Sequence, residues 1–213
     1  MSNEEVTLTD MPPFPTLPHH VTGLPIFDNT YGSAYGCPGL PKGHLVLVQG
    51  APAQGKSLVA LAAAGNLCGR DARVAYVDLN GSIDPDYAES LGVPLSDIFQ
   101  FMCVQPSTLM EGMQIMGSLL KVVDVIFLDG LRDTPTHAWD GVLAALKVQL
   151  QDHGTALVAL GDKVPLAWKY HAHRSYQLHS FKAPGTLTFD VCKDALDRGV
   201  GRTLTFEINH GTS

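Results

Sequence analysis

One octapeptide constrains this chain more than any other feature: Gly50-Ala51-Pro52-Ala53-Gln54-Gly55-Lys56-Ser57. It follows the apolar run Leu45-Val46-Leu47-Val48 and precedes a helical run from Leu58 to Leu67. A glycine at each end lets the backbone wrap tightly, so that successive N–H groups converge on an anion. The helix starting near Lys56 adds the positive end of its dipole. In this G-x-x-x-x-G-K-S pattern the lysine reaches the β- and γ-phosphates and the serine hydroxyl faces Mg²⁺. The competing reading, a plain turn containing Gly-Lys-Ser, is disfavoured by the strand before it and the helix after it. The expected cradle is the octapeptide plus Leu58 at the head of the helix, and its expected occupant is a nucleoside triphosphate with Mg²⁺.

The length, 213 residues, suits one well-buried domain and is short for two. No apolar run approaches the roughly 18 residues needed to span a bilayer, so no membrane partner is expected. Met1–Asp10 carries Glu4, Glu5 and Asp10 but no basic residue, unlike a signal or transit peptide. The four cysteines, Cys37, Cys68, Cys103 and Cys192, form no C-x-x-C pair. They signal neither a disulfide framework nor a zinc site, and a reducing cytoplasm is the expected location. The net charge of −7 argues against a surface coated for nucleic acid. The basic residues are unevenly spread, however, with seven of the 14 between Lys163 and Arg202. A local basic face on an acidic body is therefore expected.

Residues 1–25 hold five prolines and few periodic apolar positions, and read as an extended N-terminal arm ahead of a core domain over 26–213. From Leu45 onward, short β-branched runs alternate with longer helical patterns. Strands are expected at 45–49, 73–78, 98–104, 123–128 and 156–160, with helices at 57–68, 84–91, 107–120 and 137–153. Gly92 is expected just past one helix and Ser107 at the N-cap of another. This alternation implies a mostly parallel sheet covered by helices on both faces. The alternating segments 175–181, 186–193 and 202–208 imply antiparallel strands at the C-terminal edge.

The run Val123-Asp124-Val125-Ile126-Phe127-Leu128-Asp129 is an apolar strand ending in an acid. Beside the phosphate loop, Asp129 is expected to orient the Mg²⁺ water shell next to Ser57. A further ordered set then stands out: Val74-Ala75-Tyr76-Val77-Asp78, Ile83-Asp84-Pro85-Asp86-Tyr87-Ala88, Leu91-Gly92-Val93 and Gln105-Pro106, preceded by Gly39-Leu40-Pro41-Lys42-Gly43. Over roughly residues 22–210 it resembles the ATPase core of the bacterial RecA recombinase family. The resemblance implies that Tyr87 stacks on adenine and that Asp84 accepts from its exocyclic amine, which makes ATP the expected nucleotide. It also implies a role in DNA repair, recombination or replication, and a site shared between subunits of a homo-oligomer.

The departures from the family pattern matter equally. Two residues beyond the strand-end Asp78 the family carries a glutamate that polarises the attacking water, and here Asn80 stands there. An amide cannot take a proton at neutral pH, though it can hold a water. Weak hydrolysis is expected, with Lys56, Asp129 and Asn80 as the catalytic set or with Asp78 as substitute base. Past the strand at 156–160 the family places a glutamine that senses the γ-phosphate. Here Gly161-Asp162-Lys163 follows, and Asp162 is expected to repel that phosphate.

The segment Lys163–Arg174 interleaves cations with aromatic rings, the makeup of a loop that binds single-stranded DNA. Lys163, Trp168, Lys169, Tyr170 and Arg174 are the candidate contacts, at the position of the family's second DNA loop. The competing reading packs Trp168 on the sheet. A first DNA loop would fall in Leu131–Trp139. Lys193 matches a family lysine that reaches the ATP of a neighbouring subunit. The Pro-rich arm stands where the family has a filament helix, and the carboxy-terminal DNA-gathering domain is not expected. Strand exchange by this chain alone is therefore not expected. Two alternatives remain at this stage. One is a nucleotide-gated, non-hydrolysing partner of a true recombinase or a polymerase. The other is a helicase-like motor or a metal-dependent nuclease using Asp78, Asp84, Asp86 and Asp129.

Overall fold

The computed structural model describes residues 18–28, 39–132, 139–182, 186–195, 201 and 203–207. Its centre is an eight-stranded sheet. In chain order its strands are β3 (Leu45–Gln49), β4 (Val74–Asp78), β5 (Phe101–Val104), β6 (Val125–Leu131), β7 (Ala156–Gly161), β8 (Arg174–Lys182), β9 (Thr186–Asp194) and β10 (Thr203–Glu207). Across the sheet they run β10-β9-β8-β3-β7-β6-β4-β5. The pairs from β8 through β5 are parallel, and β8–β9 and β9–β10 are antiparallel. The expected mixed sheet is present, with one refinement. β8 is parallel to β3 on one side and antiparallel to β9 on the other, so it joins the two regimes.

Every residue of β3, β4 and β7 is buried. Strands covered on both faces need no polar alternation, which is why they read as unbroken apolar runs. One face packs Val46 and Val48 against α2 (Lys56–Cys68) and against Tyr176, Leu178 and Phe189 of the hairpin. The other packs Leu45 and Leu47 with residues of α4 (Leu109–Leu119), α5 (Trp139–His153) and α6 (Leu166–His171). α2 is apolar nearly all round and buried along its length, as expected of a helix clamped between layers.

Several boundaries shift for local reasons. α3 covers Pro85–Ser90, because Asp84 is its N-cap and accepts the Tyr87 N–H at 3.1 Å. Gly92, at φ +82°, follows its C-cap. The N–H groups of Gly92 and Val93 donate to Glu89 and Ala88, which closes the helix in a Schellman motif. α4 is capped by Thr108 rather than Ser107, while the Ser107 N–H donates to Glu111. β5 begins at Phe101, and Ile98 and Phe99 lie exposed in the preceding turn.

The arm reading gives way for residues 18–25. β1 (His19–His20) pairs antiparallel with β2 (Leu40–Pro41), and Leu24 joins the core beside Ile26 and Phe27 of α1 (Pro25–Asp28). The Thr22 and Gly23 N–H groups and the Thr22 hydroxyl all donate to the Asp28 carboxylate, which fixes the bend. Residues 1–17 lie outside the described set.

At the start of β8 the His173 ring packs edge-on to His44, with centroids 4.3 Å apart. Burial above all, then the neighbouring His44, Arg174, Lys147 and Lys193, depresses the His173 imidazole to about 3. The folded chain thus keeps His173 neutral where an unfolded chain would protonate it. Its contribution is present above pH ~6.5 and is lost as pH falls from there toward 3. We expect roughly 2 kcal/mol of stability to be lost between pH 7 and 4.5, allowing for part contact with solvent. Urea unfolding at the two pH values checks this, and His173→Gln should remove that share of the loss.

Candidate nucleotide-binding site

The parallel order places the octapeptide at the carboxy end of β3, between β7 and β8. A Cβ on Gly50 would lie 2.7 Å from the Gln54 side-chain oxygen and 3.1 Å from the Leu178 backbone oxygen, so a larger residue would crowd the turn and push on the Gln54 side chain. Gly55 sits at φ +84° as the N-cap of α2 and offers the first-turn amides no side-chain partner. Ala53 also adopts a left-handed φ, +61°. That conformation costs a non-glycine residue about 1–2 kcal/mol and is typical of constrained sites. Gln54 clamps the turn from within. Its carbonyl accepts the Ala51 N–H, and its amide donates to the His179 carbonyl on β8, each at 2.7 Å. Pro52 and Ala53 are exposed at the tip.

Above the loop is a cleft of about 280 Å³ lined by residues 53–58 and Tyr87. Tyr87 projects from α3 and is partly exposed there, its hydroxyl pKa raised by burial. Asp84 stands beside it in sequence with a changed job: as N-cap it already accepts a backbone N–H.

Ser57 and Asp129, 72 positions apart, meet at the cleft floor, the Ser57 hydroxyl donating to Asp129 Oδ2 at 2.5 Å. The Tyr76 hydroxyl donates to the same oxygen at 2.7 Å. Burial and the adjacent Asp129 push the Tyr76 pKa well up, so the phenol stays protonated as a donor. Sequence reasoning missed this role, because Tyr76 reads as one more apolar strand residue. Ser57 and Asp129 are oxygen donors suited to Mg²⁺ or its water shell, and Lys56 would balance phosphate charge. Lys56 Nζ donates to the Gly50 and Ala51 carbonyls at 2.8 and 2.9 Å and pairs with Asp162 at 2.5 Å.

The candidate base positions hold no available carboxylate. Asp78 is buried and accepts the N–H groups of Asn80, Ser82 and Ile83, so it shapes the loop after β4 and does not serve as a substitute base. Asn80 is exposed, and its side-chain oxygen accepts from Arg132 at 2.8 Å. Neither it nor Asp129, which accepts two hydroxyls, is set to take a proton from water.

The candidate DNA segment divides. Residues 166–171 form α6 rather than a loop. Trp168 is fully buried, its ring 6.2 Å from that of Trp139, and cannot stack on a base. Arg174 is buried as well, donates to the Gly39 carbonyl and pairs with Asp194 at 2.9 Å, so it cannot reach phosphate. Lys163, Lys169 and Tyr170 are exposed. Lys193 Nζ donates to the Lys169 and Tyr170 carbonyls and so caps the end of α6 within its own chain. Within the other candidate DNA loop, residues 133–138 lie outside the described set. Among the described residues, no group of three or more His, Cys, Asp or Glu is placed to hold a metal, and no helix is long and apolar enough to cross a membrane.

Residues 19–159 match the family model described as the RecA N-terminal domain. The chain belongs to the RecA family. It is 38% identical over 101 residues to Protein RecA of Lactobacillus delbrueckii subsp. bulgaricus, covering 46% of this chain and 30% of that protein. It is 33% identical over 134 residues to Protein RecA of Lactobacillus johnsonii, covering 62% of this chain and 36% of that one. The chain therefore spans about a third of the length of these relatives. In fold it is similar to the crystal structure of the RadB recombinase, with a TM-score of 0.64 at 20% identity, over 81% of this chain and 90% of that one. The RecA-like core expected from the sequence is thus present.

Proposed function

We propose that this RecA-family chain binds ATP with Mg²⁺ at the phosphate loop, hydrolyses it slowly or not at all, and serves DNA recombination, repair or replication as a nucleotide-gated component. The observation that carries the reading is the meeting of Ser57 and Asp129 beside Lys56 at the foot of an open helix N-terminus. Tyr87 faces the same cleft and is the natural platform for adenine. The low turnover follows from Asn80, Asp78 and Asp129 all being engaged by hydrogen bonds. Single-stranded DNA would meet the exposed Lys163, Lys169 and Tyr170, without Trp168 or Arg174. The partner would be a recombinase, a polymerase or a further copy of the chain.

Calorimetry of the full chain with Mg²⁺ and ATP is expected to show saturable binding. Lys56→Ala should weaken it by about ten- to a hundredfold, since one charge-assisted phosphate contact is worth roughly 1.5–3 kcal/mol. Turnover measured with and without single-stranded DNA separates the remaining readings. Stimulation by DNA supports a slow motor, and binding without turnover supports a gated partner. Absence of heat with both ATP and ADP would remove the proposal.

A further inference from the structure

We infer that Asp162 sets the phosphate-number specificity of the loop, favouring nucleoside diphosphates over triphosphates. The inference rests on the reading of the loop as a nucleotide site.

The geometry is confined to a few atoms. A lysine ammonium has three donors. Lys56 spends its contacts on the Gly50 carbonyl, the Ala51 carbonyl and the Asp162 carboxylate. The two carbonyls are neutral and belong to the loop that receives the phosphates. Exchanging them for a β-phosphate oxygen swaps a neutral acceptor for an anionic one, which is favourable. The third partner already carries a charge. A γ-phosphate that seeks the same ammonium must displace the Asp162 carboxylate or lie against it, and either outcome sets anion against anion. A diphosphate avoids the conflict: Lys56 can hold the β-phosphate and Asp162 together.

Asp162 is also held where it stands. It follows Gly161, which pairs with Gln49 in the β3–β7 ladder and accepts the Gly50 N–H. Gly161 is itself locked, because a Cβ there would come within 2.3 Å of the Leu131 carbonyl. The next turn is anchored by buried Val164. The carboxylate is thus carried on a backbone tied to the first glycine of the cradle. Lys56 is almost fully buried, whereas the Asp162 side chain is 45% exposed. Substituting Asp162 therefore removes a charge from the mouth of the site without opening the core.

The test is calorimetry of the full chain in Mg²⁺ with ADP and with AMP-PNP, a triphosphate analogue that is not cleaved. The wild type is expected to bind ADP about tenfold or more tighter than AMP-PNP. Asp162→Asn, with Asp162→Ser as a second variant, should tighten AMP-PNP about tenfold and change ADP by about threefold at most. Wild-type affinities that are equal, or that favour AMP-PNP, would overturn the inference while leaving the nucleotide site standing. So would variants that shift both ligands alike. Failure of ADP and AMP-PNP alike to bind would instead overturn the nucleotide reading, and this inference with it.

Discussion

Trp168→Ala is expected to lower the stability of the chain by about 4 kcal/mol, whatever its effect on DNA binding. Trp168 is fully buried, in the cluster that includes Trp139, Leu143 and Ala167. Truncation removes the ring and leaves a cavity between α6, α5 and the sheet, which a six-residue helix cannot collapse to fill. A second substitution separates packing from chemistry. The Trp168 indole N–H is buried with no hydrogen-bond partner among the described residues. Trp168→Phe keeps most of the apolar volume and deletes that donor, so it should lose less than about 1.5 kcal/mol. Tyr170, two positions on and largely exposed, provides the contrast. Tyr170→Ala should leave stability within about 0.5 kcal/mol and weaken single-stranded DNA by about 1–3 kcal/mol if the ring stacks on a base. Urea unfolding reads the first effect and fluorescence anisotropy of labelled DNA the second. If Trp168→Ala kept its stability and lost only DNA, the buried placement would be wrong.

Trp168 and Tyr170 also show where sequence reading stopped. The cradle, its flanking strand and helix, and the parallel alternation were legible because each depends on residues close in the chain. A glycine at a forced turn, an apolar run of strand length and an alanine-rich helix are local signals. Asp129 was legible for the same reason, as the acid in a buried apolar run, although the strand runs on past it to Leu131. α6 was not, because six residues cannot display a helical period, and the ring that buries Trp168 belongs to Trp139 on another helix. A mixture of cations and aromatics looks the same whether the tryptophan faces solvent or core. Lys193 carried a similar ambiguity. Nothing in Phe189–Lys193 indicates that the ammonium will find the end of a helix 23 residues upstream. From the sequence Asp162 reads as an anion that would repel a γ-phosphate. Its pairing with Lys56 was not legible, because the two residues meet only where β3 and β7 lie side by side. Asn80 was visible as an amide in a carboxylate's place, but its tie to Arg132 spans 52 positions and emerges only when β4 and β6 lie side by side.

Gly65→Ala should destabilise the chain by roughly 3 kcal/mol, although the same change inside a helix ordinarily stabilises it by about 1 kcal/mol. Gly65 lies inside α2, where helix propensity alone would favour alanine. A Cβ there would stand 2.2 Å from the Leu91 carbonyl oxygen and 3.0 Å from the Gly92 carbonyl carbon. Both are backbone atoms of the Schellman turn that ends α3, so no rotamer change can relieve the contact. The helices must move apart, and α3 carries Asp84 and Tyr87. Gly65→Ala is therefore expected to weaken nucleotide binding several-fold as well, through displacement of Tyr87 from the cleft that residues 53–58 complete. Gly117→Ala in α4 is the internal control, since a Cβ there meets nothing within 4 Å and should stabilise by about 0.5–1 kcal/mol. Urea midpoints for the pair should move in opposite directions. If Gly65→Ala instead rose with Gly117→Ala, the close approach of α2 to the end of α3 would be refuted, and with it the placement of Tyr87 over the phosphate loop.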